Sequence, residues 1–247
     1  MNVVFLGATR GMGRALARRL AARGDRLFLL GRDAADLERS ARDLEARAGA
    51  AVGSVTAAKC DLLQPEGFAP AFDLAERALG RIDAVVVTAG LMGRQEELER
   101  DPVLARRVLE ADFSGTVLFC EEARRRLLAA GGGTLCVFSS VAGDRGRKPV
   151  VLYGAAKAGL SSYLEGLDHR HRANGLRVVC VKPGFVRTAM TAGLPEPPFA
   201  GEPEAVARRV ERALDRGTPV VYVPGIWRWV MLVVRALPRF VMRRVGF

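Results

Sequence analysis

The chain has 247 residues, 49% of them hydrophobic, and a formal net charge of +11, which suits one α/β domain with an ample core. No run of about eighteen uninterrupted apolar residues is present to span a bilayer. The four cysteines, Cys60, Cys120, Cys136 and Cys180, show no CxxC or other metal spacing, so buried reduced thiols and no metal are expected. Thirty-four of the thirty-eight basic residues are arginine; such a surface attracts anionic lipid or phosphorylated cofactors, and without a nucleic-acid motif or aromatic stacking platform no nucleic-acid partner is expected.

In chain order, Asn2–Leu6 is an apolar run with the length and flanks of a buried strand, and the glycine turn GATRGMG follows at 7–13. The start carries no basic leader or cleavage site, so a cytoplasmic location is expected. Residues 14–23 show helical periodicity through Leu16 and Leu20, with Gly24 as a natural stop. A second strand is expected at 26–30, then a helix capped by Asp33 that runs through Leu37 and Leu44 to about Ala48. A third strand at 52–60 ends in Asp61, residues 65–79 are helical, and a fourth strand at 82–87 leads into Thr88, Ala89 and Gly90. A long helical region runs from about 102 to 130, followed by a strand at 134–139 and a helix at 152–172. A sixth strand at 176–182 leads into Pro183 and Gly184. Residues 187–203 hold four prolines and two glycines and read as an irregular loop. A helix at 204–216 and a seventh strand at 219–223 complete the alternation. Strands alternating with helices imply a parallel sheet covered on both faces, and right-handed crossovers make it doubly wound. The expected fold is a single Rossmann domain at 1–224 with a seven-stranded parallel sheet and helices on both faces, plus an amphipathic helical tail at 225–247.

Three patterns carry chemistry. Gly7, Gly11 and Gly13 lie between the first strand and its helix, where glycine allows a tight turn and close approach of backbone to a pyrophosphate and the helix N-terminus faces the anion. The second strand ends LLGRD, with Arg32 where NAD-binding proteins usually place an acid. Arg32 and Arg10 can clamp a 2′-phosphate, which favours NADPH; the alternative is two ordinary exposed arginines. Tyr153 and Lys157 are four apart, on one helical face. An ammonium there pulls the phenol's pKa from about 10 toward neutrality, so Tyr153 can exchange a proton, with the Ser140 hydroxyl, at a strand end, beside it.

With GATRGMG, CDL, TAG, SSVAG, YGAAK and PGFVRT in this order, the chain resembles the short-chain dehydrogenase/reductase family over about residues 1–223. The resemblance implies cofactor contacts from Gly7, Thr9, Arg10, Gly11, Met12, Gly13 and Arg32, from Asp61 and Leu62 at the adenine, from Ala89 and Gly90 along the cofactor, and from Pro183, Gly184, Val186 and Thr188 at the nicotinamide. It further implies hydride transfer to a carbonyl carbon, with Tyr153 protonating the oxygen, Ser140 orienting it, and Lys157 holding the ribose and lowering the tyrosine pKa. It implies a homodimer or homotetramer paired through helices around 104–130 and 152–172. The sequence departs from the family at Leu6, at Thr88 and at Asp112, which stands where the fourth catalytic residue is an asparagine. Asp112 either adds a working charge beside Lys157 or is a tolerated swap.

The tail carries five arginines and no acid. As a helix it places Arg228, Arg235, Arg239 and Arg243 on one stripe and Trp227, Val230, Met231, Val234 and Leu237 opposite, with Pro238 kinking or dividing it. That pattern suits an anionic membrane interface, or alternatively packing on the sheet or on another subunit. The tail resembles those of reductases of lipid-linked keto intermediates, which implies a lipophilic ketone and a lid at 187–203 bearing Met190, Leu194 and Phe199. A soluble ketoreductase of a small ketone, sugar or acyl thioester, and a non-catalytic NADPH-sensing protein, remain alternatives.

Overall fold

The computed structural model describes residues 1–48 and 55–245. Seven parallel strands form one sheet in the order β3-β2-β1-β4-β5-β6-β7: β1 Asn2–Leu6, β2 Arg26–Gly31, β3 Val55–Lys59, β4 Ala84–Val87, β5 Gly133–Phe138, β6 Leu176–Pro183 and β7 Val220–Val223. The start of the expected third strand, 52–54, lies outside the described residues. The interior strand β1 pairs in register with β2, Val4 opposite Phe28, and with β4, Val4 opposite Val85.

Strand geometry sends alternate side chains to opposite faces, and β1 is apolar on both. Val3 and Phe5 join Leu16 and Leu20 of α1 (Gly11–Ala22), Leu37 and Leu44 of α2 (Ala34–Ala48), and Val206 and Val210 of a helix after β6 (Pro203–Arg216). Val4 and Leu6 join Phe72 of α3 (Phe68–Leu79) and residues of two helices beside it, Phe119 and Leu127 of Gly115–Ala129 and Leu160 and Leu164 of Val151–His171. Each such fully buried side chain contributes about 1.5–3 kcal/mol. The result is the helix–sheet–helix sandwich expected for near-continuous apolar strands.

The expected helix at 102–130 is interrupted. A short helix α4 (Gln95–Arg100) precedes α5 (Pro102–Leu109), whose start is capped by Asp101 accepting from the Val103 and Leu104 N–H groups. A five-residue π turn, Glu110–Ser114, then leads into α6 (Gly115–Ala129). The Thr116 hydroxyl donates to the Ala111 carbonyl at 2.7 Å, a local bond that accompanies the widened turn. Gly115 has no room for a Cβ because the Leu62 carbonyl packs on its Cα. Such π turns cluster at functional sites, and this one carries Asp112.

The remaining helices are α7 (Val151–His171), α8 (Pro203–Arg216), α9 (Trp227–Ala236) and α10 (Arg239–Arg244). Pro238 divides the tail, as its fixed φ and missing N–H require. No helix among the described residues is long and apolar enough to cross a membrane. All four cysteines are free and buried, and no group of three potential metal ligands occurs among the described residues.

Candidate active site

Chain order reverses between β1 and β4, so the crevice beyond their C-terminal ends is the topological switch point where such sheets bind ligands. The glycine turn lies there. Gly7 has φ of +98° and a Cβ on it would sit 2.5 Å from the Ala89 nitrogen. A Cβ on Gly13 would collide with the Gly7 carbonyl. Thr88, one of the departures from the family pattern, donates its hydroxyl to that carbonyl at 2.9 Å and so ties β4 to the turn. Helix α1 starts at Gly11, three residues earlier than expected, so the N–H groups of Gly11, Met12 and Gly13 open toward the crevice. Across it, the Thr188 methyl lies 3.2 Å from a Cβ built on Gly11. Thr9 is half-buried in the turn, Pro183 ends β6, the Gly184 N–H donates to the Val223 carbonyl at 2.9 Å, and Val186 is buried in the core. A cradle in which side chains are excluded at Gly7 and Gly13 fits a diphosphate held by backbone N–H groups.

Farther out, Asp33 caps α2 as expected, its carboxylate accepting from the Asp36 N–H at 2.8 Å. Arg10, 75% exposed, pairs with Asp36 at 2.7 Å, and Arg39 pairs with the same carboxylate. These arginines hold the Asp36 carboxyl below its usual range, Arg10 most strongly. Arg32 is exposed at the end of β2 and has no ion-pair partner among the described residues. Asp61 is half-buried and accepts from the Leu63 N–H at 3.0 Å, beside buried Leu62.

Ser140 and Tyr153 stand at the other end of the crevice, on the loop after β5 and the first turn of α7. The Ser140 oxygen accepts from the Ala142 N–H at 3.1 Å and its hydroxyl donates to the Pro183 carbonyl at 3.5 Å, while its nearness favours the phenolate of Tyr153. One turn along α7, the Lys157 ammonium lies 5.6 Å from the centre of the Tyr153 ring. It donates to the Phe138 carbonyl at 3.3 Å and pairs with Asp112 at 3.0 Å. Asp112 is wholly buried. One of its oxygens also accepts from the Leu91 N–H at 3.2 Å, and the other has no hydrogen-bond partner. Gly90 has no room for a Cβ because that carboxylate packs against it.

Lys157 draws the Tyr153 pKa down, as expected, but burial outweighs it and leaves the phenol above its ordinary value, with Asp112 adding to the rise. Burial opposes charge on Lys157 too, but Asp112 and Tyr153 hold the ammonium above its usual range.

The tail reaches this site, which the sequence did not reveal. Trp227, Val230, Met231 and Val234 cluster with Tyr222 and with Val141, the neighbour of Ser140. The Trp227 indole covers the Cα of Gly184, and Arg145 donates to the Leu237 carbonyl at 2.8 Å. The apolar stripe assigned to a membrane is therefore occupied by the body of the protein. A second stripe, Trp229, Leu232 and Val233, faces outward at 59–63% exposure.

A doubly wound sheet with a glycine turn at its switch point and a Ser-Tyr-Lys set beside it defines a dinucleotide-binding oxidoreductase architecture. Residues 1–198 match the family model described as short chain dehydrogenase. An uncharacterized oxidoreductase of Mycobacterium tuberculosis is 37% identical over 98% of this chain and 96% of its own. The cis-4-hydroxycyclohexanecarboxylate dehydrogenase of Sinomonas cyclohexanicum is 34% identical over 78% of this chain and 76% of its own. Levodione reductase superposes with a TM-score of 0.81 at 25% identity, covering 90% of this chain and 95% of that one. The chain belongs to the short-chain dehydrogenase/reductase family.

Proposed function

We propose that the protein is an NADPH-dependent reductase that converts a ketone to a secondary alcohol, on a lipophilic or lipid-linked substrate at the membrane surface. The observation that carries the reading is the Ser140, Tyr153 and Lys157 constellation at the mouth of the crevice. NADPH, when bound, supplies the hydride. Tyr153 gives its proton to the carbonyl oxygen as general acid, and burial keeps the phenol protonated until it does so. Ser140 hydrogen-bonds that oxygen and fixes its orientation. Lys157, held cationic, is placed to bind the nicotinamide ribose. Arg10 and Arg32 flank the position of a 2′-phosphate, where arginine forms charge-assisted bonds.

The loop at 187–203, with Met190 and Phe199 exposed, serves as an apolar lid. The outward stripe of α9 with Arg228 and Arg235, continued by Phe240, Arg239 and Arg243, supports contact with an anionic bilayer from the cytoplasmic side. Exposed Phe113, Leu118 and Val151 on the π turn, α6 and α7 support self-association through those helices. A second reading, a soluble ketone, is favoured by the tail's inner stripe packing as a structural element and by the small cyclic compounds named for the Sinomonas enzyme and levodione reductase.

The test is oxidation of NADPH and NADH with a panel of soluble and lipid-linked ketones, for the wild type and Tyr153→Phe. NADPH turnover that falls by about 10²–10⁴ in the variant is expected from loss of a positioned acid. Tight NADPH binding with no turnover of any ketone would replace this reading with the cofactor-sensing one.

A further inference from the structure

Asp112 is an ionisable group at a position where the family resemblance implies a neutral asparagine. Its environment is closed: the side chain is 0% exposed, one oxygen is committed to Lys157 and the Leu91 N–H, and the other has no partner. The groups facing the pair are few. The Tyr153 ring lies 5.6 Å from the Lys157 ammonium on α7, and the Ser140 hydroxyl, which donates to the Pro183 carbonyl, favours the phenolate. The Cys180 thiol of β6 is neutral, pushed up to about 11 by burial.

The charge balance decides the consequence. A lysine facing an asparagine presents a full positive charge to the tyrosine, which favours phenolate. A lysine facing an aspartate presents less, because Lys157 lowers the phenol's pKa while Asp112 raises it. The two buried groups titrate as a unit: Asp112 as carboxylate with Lys157 as ammonium has net charge zero, and so does the pair with the shared proton moved onto Asp112. In either arrangement the positive charge felt by Tyr153 is smaller than that of a lone ammonium. We propose that Asp112 is a positioning residue, a counter-charge to Lys157 that keeps Tyr153 protonated, and so able to donate its proton to a ketone, to higher pH. The inference rests on the reading of Tyr153 as the acid of a reductase.

The chain has three tyrosines, which makes the test direct. Tyr163 donates to Glu121 at 2.7 Å and Tyr222 to Asp144 at 2.8 Å, and burial together with those carboxylates holds both phenols well above the ordinary range. In an ultraviolet absorbance titration of the full chain the Tyr153 phenolate is the one lost in Tyr153→Phe. In the wild type it should form no lower than an ordinary tyrosine, about 10. In Asp112→Asn it should form roughly one pH unit or more lower, within the range of about 1–3 units by which a neighbouring charge moves a pKa. The alkaline limb of ketone reduction should move down with it. Identical titrations of the two proteins would overturn the proposal. If Asp112→Asn does not fold, the wild type against Tyr153→Phe decides alone: phenolate forming near neutrality would overturn it. The titration needs neither substrate nor cofactor, so a shifted phenolate in a protein that reduces no ketone would uphold the counter-charge and reject the reductase reading.

Discussion

Arg10 and Arg32 flank the same end of the crevice but are not equivalent. Arg32 has no ion-pair partner among the described residues, whereas Arg10 is engaged by Asp36, a carboxylate that competes with an incoming phosphate. A hydrogen bond to a charged group is worth about 1.5–3 kcal/mol, so Arg32→Ser should lower kcat/KM for NADPH by roughly ten- to a hundredfold and change that for NADH little. Steady-state kinetics with both cofactors checks this; equal losses would remove Arg32 from the 2′-phosphate site. Single residues differ in how legible they were. Gly7, Gly13, Ser140, Tyr153 and Lys157 were identifiable because turn geometry and helical spacing are local properties. The raised pKa of Tyr153 was not, because its causes, burial and Asp112, come from elements distant in sequence.

Two elements carry features that their local sequence does not mark. The run at 102–130 is continuously helix-forming, and nothing local marks the π turn, whose Gly115 is pressed against the Leu62 carbonyl of a distant loop. The tail is apolar on two sides, and an amphipathic pattern cannot tell which side meets the protein. The structure assigns Met231 and Val234 to the body, at 1% and 6% exposure, while Leu232 is 59% exposed. Met231→Ala should therefore cost about 2–5 kcal/mol and Leu232→Ala no more than about 0.5 kcal/mol, measured by urea unfolding. Equal effects would mean that the tail does not pack as described. Because Met231 and Trp227 brace Val141 and Gly184, removal of the whole tail disturbs the site itself, and point changes on the outer stripe are the cleaner probe of membrane contact.

At the scale of the molecule, α9 joins an outward apolar stripe to a site-facing one. An apolar helix face is normally covered, and five arginines with no acid in the tail make an anionic bilayer the proposed cover of the outer one. The full chain should co-sediment with anionic vesicles more than with neutral ones, and less at high salt, where charges are screened. Trp229→Asp with Leu232→Asp should abolish sedimentation and leave soluble-ketone turnover unchanged. Wild-type protein that stays in the supernatant with both vesicle types would favour the soluble reading.

The sequence by itself determined the alternation of strands and helices, the glycine turn, the Ser-Tyr-Lys spacing and the buried cysteines, because each follows from periodicity or from residues a few positions apart. The tertiary structure alone decided which stripe of the tail is covered, that Trp227 closes over Gly184, and that Asp112 meets Lys157 at 3.0 Å. Those contacts join residues more than forty positions apart, and only the packing of α5 to α7 and the tail around the sheet brings them within reach.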